Sequence, residues 1–168
     1  MASKISIAGI IWDHCGTLRN NNTGRLSWGD IVLFILFPLV LGVSLYCYGV
    51  VLTDLLSSIL ATALSLFAGL LFNLLLLVYD LLSKEEASAK PNNVRQDLLD
   101  EVSKNISFCI LISLLVIILL TLNSFKINAV WSSVISAVAF WLSTIFVLTL
   151  LMILKRIHNL LVTTFRRV

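Results

Sequence analysis

Charged side chains are scarce in this sequence: only 12% of its 168 residues are Asp, Glu, Lys or Arg, whereas 59% are hydrophobic. A soluble domain of this length has too little interior to hide so much apolar surface. With a mean hydropathy of +1.02, the composition excludes an ordinary soluble globular protein. It indicates a chain that uses lipid as its solvent.

Cysteine and histidine are also sparse, with three and two residues. Cys15, Cys47 and Cys109 show no paired spacing, so neither a structural disulfide nor a zinc site is expected. Asp13, His14 and Cys15 are consecutive and would point in different directions on a helix. The sequence has no phosphate-binding Gly-rich loop, no His-Glu-x-x-His and no Gly-x-Ser-x-Gly pattern. We therefore predict that the protein is not an enzyme and uses no metal or cofactor.

Long apolar runs are the main feature of the sequence. Four segments, roughly 31–52, 55–82, 106–122 and 129–154, approach or exceed the about 20 residues that cross hydrocarbon as a helix. They predict an all-α, polytopic membrane protein with four transmembrane helices in two hairpins. Pro38 and Gly42 predict a kink in the first segment. The third segment is almost wholly branched aliphatic and is predicted to face lipid.

The basic residues predict how the chain is oriented. All but one of the twelve lie before residue 31, between 83 and 105, or after 154, and the exception is Lys126. Because Lys and Arg beside membrane helices stay cytoplasmic, both termini and the central loop are predicted there. This gives an interfacial segment 1–30, a first hairpin 31–82, a loop helix 83–105, a second hairpin 106–154 and a basic tail 155–168. Short cytoplasmic helices are expected in segment 1–30, the loop and the tail.

The second apolar segment carries small or polar side chains along one helical face. They are Ser58, Thr62, Ser65, Gly69, Asn73 and Asp80. Such a face either packs closely against another helix or lines water. Asn73 argues for a polar surrounding, because an unpaired amide in hydrocarbon costs on the order of a few kcal/mol. The fourth segment has a second seam of this kind, at Ser132, Ser136, Ala139 and Ser143.

Charged residues lie only at the predicted ends of the four apolar segments, as Asp80 does, whereas coupled transporters place such residues near the bilayer centre. A passive channel fits the composition better. One four-helix bundle has too little interior for a pore, so conduction requires a homo-oligomer, with a tetramer as the working assumption. Asp54 and Asp80 would then form acidic rings that favour cations, or would otherwise be simple helix-end carboxylates.

The basic cytoplasmic side has two interpretations. One is orientation plus attraction to anionic lipids, worth about 1 kcal/mol for each Lys or Arg near the surface. The other is a site for a phosphate-rich ligand. Its candidate residues are Arg19, Arg25, Arg95, Arg156 and His158, beside His14 and the stacking candidates Trp12 and Trp28.

Three stretches resemble a known family: Asp13-His14-Cys15-Gly16-Thr17-Leu18-Arg19, Thr23-Gly24-Arg25-Leu26-Ser27-Trp28-Gly29-Asp30, and Leu64-Ser65-Leu66-Phe67-Ala68-Gly69-Leu70-Leu71-Phe72-Asn73. The family consists of small bacterial four-span proteins encoded beside nucleotidyltransferases in anti-phage operons, and the likeness is greatest to Hailong-type membrane effectors. The matching motifs lie in the first half of the chain, and the second half resembles the family only in the arrangement of its apolar segments.

The resemblance implies a tetrameric ion channel in the bacterial inner membrane. An oligonucleotide made by the partner nucleotidyltransferase would open it and depolarise the infected cell. By motif, Asp13, His14, Arg19 and Arg25 become candidates for ligand binding or gating, and Phe67 and Asn73 for the pore.

Two other functions stay open. The chain could be a membrane anchor or assembly subunit for a cytoplasmic enzyme, or a small non-coupled transporter or exporter subunit. An Asn73 substitution separates them from a channel, since it should change conductance in a channel and little in an anchor.

Overall fold

The computed structural model describes residues 9–11, 32–87, 93–125 and 128–165. Within these ranges the chain is helical, with no strand. We number the longer helices α1 (Phe37–Cys47), α2 (Asp54–Glu86), α3 (Asn93–Asn123) and α4 (Ala129–Phe165). The predicted all-α class is confirmed.

Three helices are long and apolar enough to cross a membrane: Asp54–Glu86, Gln96–Asn123 and Ala129–His158. The first predicted span is shorter than expected, since its apolar helix covers only Val32–Cys47. At 1.5 Å per residue that is about 24 Å, less than the about 30 Å of a hydrocarbon core. The structure therefore supports a membrane protein with three full-length candidate spans.

The first apolar helix ends early because Gly49 stops it. Gly49 has a φ of 65°, a left-handed conformation that glycine adopts without a steric penalty. The Gly49 amide donates to Tyr46 O and the Val50 amide donates to Leu45 O, both at 3.0 Å. These two bonds form a Schellman motif, which satisfies the last carbonyl groups of α1 and ends it.

The start of the same helix is distorted next to Pro38. Residues Val32–Leu36 form a π-helical stretch that leads directly into α1. Proline has no amide hydrogen, and its ring crowds the carbonyl four residues earlier, so the preceding turn widens. The irregularity predicted near Pro38 is present at this point.

The helices are adjacent in the order α2, α3, α4, α1. α1 packs on α4, and no described residue of α1 approaches the backbone of α2. The only buried residues of α1 are Pro38 and Gly42, which are small and lie on one face. That face fits closely against α4, so the first predicted hairpin, 31–82, is not a packed pair of helices. The helices α3 and α4, which contain the two spans predicted for the second hairpin, pack together.

α3 is the central helix, and the prediction that its apolar part faces lipid is wrong. Its buried residues repeat at alternating steps of three and four, the spacing of a helix packed on both neighbours at a shallow angle. The residues in this repeat are Leu99, Val102, Ile106, Cys109, Ser113, Val116, Leu120 and Asn123, and Asn105, Phe108 and Ile112 beside them are buried as well. Within the predicted loop helix 83–105, the described helical residues belong to the end of α2, up to Glu86, and to the start of α3, which begins at Asn93 and runs without a break into the third predicted span.

We expect Gly42→Leu to destabilise the fold by about 1–3 kcal/mol, the usual cost of overpacking. A Cβ atom at Gly42 would lie 3.1 Å from Trp141 Cβ and 3.4 Å from Ala137 O. Unfolding in detergent, followed by circular dichroism, measures the change. Gly69→Leu is the matched control, because a Cβ atom there meets nothing within 4 Å. Equal stability of the two variants would contradict the close α1–α4 contact.

Candidate functional site

The predicted pore-lining residues lie on the side of α2 that faces away from its neighbours. The packed side of α2 is marked by Ser57, Leu64, Leu71 and Val78, which are buried at seven-residue intervals. All six predicted residues are exposed: Ser58, Thr62, Ser65, Gly69, Asn73 and Asp80. We call these six residues the polar face of α2. The structure therefore brings the sequence-predicted set together on one surface.

Two of the three hydroxyl groups of the polar face, those of Thr62 and Ser65, are bonded within the helix. Thr62 Oγ1 donates to Ser58 O at 2.9 Å and Ser65 Oγ donates to Ala61 O at 2.8 Å. This arrangement satisfies the hydroxyl hydrogens and leaves the oxygens outward as acceptors. They can offer partial negative charge to a water column or a cation without leaving their rotamers.

Asn73 differs from these hydroxyl residues. It is exposed near the middle of α2, and no described residue makes a hydrogen bond to its side chain. Its amide has two donor hydrogens and an acceptor oxygen, all of which need partners if the helix lies in a membrane. Asn73 is thus the strongest sign that this face meets water or another polar surface.

The end of the polar face carries an ion pair. Lys84 Nζ lies 2.6 Å from Asp80 Oδ2, and the two side chains are 71% and 56% exposed. An exposed pair of this kind contributes only about 0.2–1 kcal/mol to stability. Its consequence is electrostatic, because Lys84 offsets the charge of the carboxylate that was predicted to form an acidic ring.

Phe67, which the resemblance assigns to the pore, is 41% exposed and packs part of its ring against α4. Its ring contacts Phe146 of α4 edge to face, with centroids 6.1 Å apart. Phe146 is buried in the core. This contact is a packing interaction between α2 and α4, and it places Phe67 on the side opposite the polar face.

The seam predicted in the fourth segment also packs inward. Ser136 and Ala139 are fully buried, and Leu52 N donates to Ser136 Oγ at 3.1 Å. Ser132 Oγ donates to Asn123 Oδ1 at 2.9 Å. Of the two alternatives left open for this seam, close packing fits Ser132, Ser136 and Ala139, whose small side chains let α4 lie close to α3 and to the segment before α2.

The structure does not gather the predicted ligand-binding residues into one described site. Arg156 Nη1 lies 2.9 Å from Glu101 Oε2, with only 16% and 21% of the two side chains exposed. This pair joins α4 to α3. His158 is exposed two residues further along α4, and residues two apart on a helix point to different sides.

The remaining predicted ligand contacts are untested. Arg95 lies in the first turns of α3, but its side chain is outside the described set. The others lie outside the described residues: Trp12, His14, Arg19, Arg25 and Trp28. Within the described ranges, no three His, Cys, Asp or Glu side chains group as metal ligands.

Sequence reasoning missed a polar cavity where α2 and α4 begin and α3 ends. We call it the turn-side cavity; its volume is about 470 Å³. It is lined by Val51, Leu52, Thr53, Asp54, Asn123, Asn128, Ala129 and Ser132. The sequence did contain a sign of this cavity. Asn123 falls on the buried repeat of α3 and places a polar amide where the other positions are mostly aliphatic.

The candidate site is therefore the polar face of α2, with the turn-side cavity near its first turn and the Glu101–Arg156 pair at the other end of the helices. No family model, no curated protein and no solved structure matches the chain.

Proposed function

We propose that the protein is a homo-oligomeric ion channel of the membrane, with a pore lined by the polar face of α2. The observation that carries the proposal is the position of Asn73 and its neighbours. They lie on an apolar 33-residue helix of membrane-crossing length, on the side turned away from α3. Lipid is a poor solvent for that surface, and water between several copies of α2 is a good one.

Several chains are needed to enclose a pore, because the polar face of α2 is exposed in the described part of a single copy. α2 lies beside α3 and touches α4 through Phe67, which leaves its polar face uncovered by the described part of the chain. In a symmetric ring, each subunit would contribute the same acceptor oxygens and one Asn73 amide. A tetramer of four-span subunits with both termini cytoplasmic is the form proposed.

The gating signal and biological role follow from the family resemblance. A nucleotide-derived or oligonucleotide ligand, made by a partner nucleotidyltransferase, would bind at the basic cytoplasmic side and open the channel. The open channel would depolarise the inner membrane of a phage-infected bacterium. Permeant cations are proposed from Asp54 and Asp80, although Lys84 weakens any ring formed by Asp80.

The test is ion flux from liposomes that contain the purified protein. We expect little flux without ligand and at least a tenfold increase with one class of nucleotide or short oligonucleotide. Arg19→Ala with Arg25→Ala should abolish the response while leaving membrane insertion intact. Absence of flux under every condition, from protein shown to be folded and inserted, would overturn the channel in favour of the anchoring subunit.

A further inference from the structure

The turn-side cavity lies at the level where a membrane meets water. It sits at the ends of all three membrane-length helices, with its lining drawn from residues 51–54, 123 and 128–132. Large aromatic side chains surround this end and are exposed: Tyr46, Tyr48, Phe125 and Trp131. Exposed Tyr and Trp at helix ends are typical of the headgroup region of a bilayer. The cavity therefore lies where lipid headgroups are concentrated.

One wall of the cavity carries a hydrogen-bond donor that has no acceptor among the described residues. Asn123 is 8% exposed, and its Oδ1 accepts from Ser132 Oγ. Its amide nitrogen has no acceptor among the described residues. The Asn123 side chain lines the cavity, so its amide nitrogen can donate to an acceptor bound there.

The start of α4 adds further donors to the same wall. The first helical bond of α4 runs from Ser132 N to Asn128 O, at 3.0 Å. The amides of residues 129–131 therefore have no acceptor within the helix, and the positive end of the helix dipole lies beside them. Ala129 and Asn128 both line the cavity. This wall suits an anionic oxygen, such as that of a phosphate.

The other side of the cavity carries a carboxylate. Asp54 is the first residue of α2 and lines the cavity together with Thr53. Thr53 Oγ1 accepts from Leu56 N at 3.3 Å, which holds the start of α2 in place. A ligand that fits both walls has a phosphate and, a few ångströms away, a positively charged group.

We infer that the turn-side cavity binds the headgroup of a phospholipid that carries a primary ammonium group, as in phosphatidylethanolamine. The phosphate lies against the Asn123 amide and the start of α4, and the ammonium lies against Asp54. The volume of about 470 Å³ is within the about 300–1,000 Å³ of small-ligand sites. Val51 and Leu52 in the lining provide the apolar contact that a lipid has and a free zwitterion lacks. The inference requires membrane insertion but not the channel.

Native mass spectrometry of the delipidated protein tests the site, with equal amounts of phosphatidylethanolamine and phosphatidylcholine of the same chain length. We expect at least fivefold more bound phosphatidylethanolamine, because a quaternary ammonium cannot donate a hydrogen bond to Asp54. Asp54→Asn should bring the ratio close to one, whereas Asn123→Leu should weaken the binding of both lipids, because both carry the phosphate. Asp80→Asn, a carboxylate at the opposite end of α2, should leave it unchanged.

Asn123 is buried and bonded to Ser132, so Asn123→Leu could fail to fold. Asp54 is exposed, and Asp54→Asn keeps the test decisive in that case. Equal binding of the two lipids by the unmodified chain, or an unchanged ratio in a folded Asp54→Asn variant, would overturn the inference. Soluble phosphoethanolamine that binds at the same concentration as the lipid would also overturn it, because the ligand would then be a free zwitterion.

Discussion

Replacing Glu101 with Ala is expected to lower the free energy of unfolding by about 3 kcal/mol. The carboxylate lies 2.9 Å from the Arg156 guanidinium, and both side chains are about four-fifths covered. Removing it leaves a partly buried positive charge without this partner, which costs more than the ion pair itself contributes. Reversible unfolding in mixed detergent micelles, followed by circular dichroism, measures the loss.

The exposed Asp80–Lys84 pair is the matched control for this substitution. It is shorter, at 2.6 Å, but more than half of each side chain is exposed. Asp80→Ala should cost less than about 1 kcal/mol. The double variant Glu101→Leu with Arg156→Met should recover much of the lost stability, since no uncompensated charge stays behind. A Glu101→Ala variant no less stable than Asp80→Ala would show that the buried pair has no structural role.

Replacing Asn73 with Leu is expected to reduce ligand-dependent ion flux at least tenfold. The substitution removes a polar amide from the polar face of α2 and fills the middle of the proposed pore with an aliphatic group. Hydrophobic constrictions stop conduction by dewetting. Folding should be preserved, because Asn73 is exposed and no described residue bonds to it. Flux from liposomes with matched protein content is the measurement.

Ser57→Ala is the control for the Asn73 variant. Ser57 lies on the same helix but is 6% exposed on the side that packs against α3. Its Oγ has no hydrogen-bond partner among the described residues, so losing the hydroxyl should change neither flux nor stability appreciably. If Asn73→Leu conducted as well as Ser57→Ala, the polar face of α2 would not line the pore.

The sequence was sufficient to find the polar face of α2, because a polar residue is conspicuous in an apolar helix and its spacing fixes the side on which it lies. Ser58 and Asn73, fifteen residues apart, were assigned to one face and are found there. The same reasoning failed for α3. Lipid and protein interiors are equally apolar, so an aliphatic run cannot tell which of them it contacts.

Pairwise contacts between distant segments were also beyond the reach of periodicity. Nothing near Gly42 in the sequence indicates Trp141, and nothing near Glu101 indicates Arg156. The turn-side cavity depends in the same way on Asp54, Asn123 and Ser132 meeting in space. Each of these depends on which helices are neighbours, and that order is set by the small residues of α1 and α4 and not by any single segment.

The contact between α1 and α4 has a consequence for how the chain matures during translation. Gly42 meets Trp141, and Leu52 bonds to a residue 84 positions later. Trp141 follows Gly42 by about 100 residues, so at about 5–20 residues per second α1 is without this partner for roughly 5–20 seconds. Until then its short length and early end leave it weakly held in the bilayer. Ribosome-bound chains that stop before residue 129 should therefore expose α1 to protease, whereas chains that include α4 should protect it.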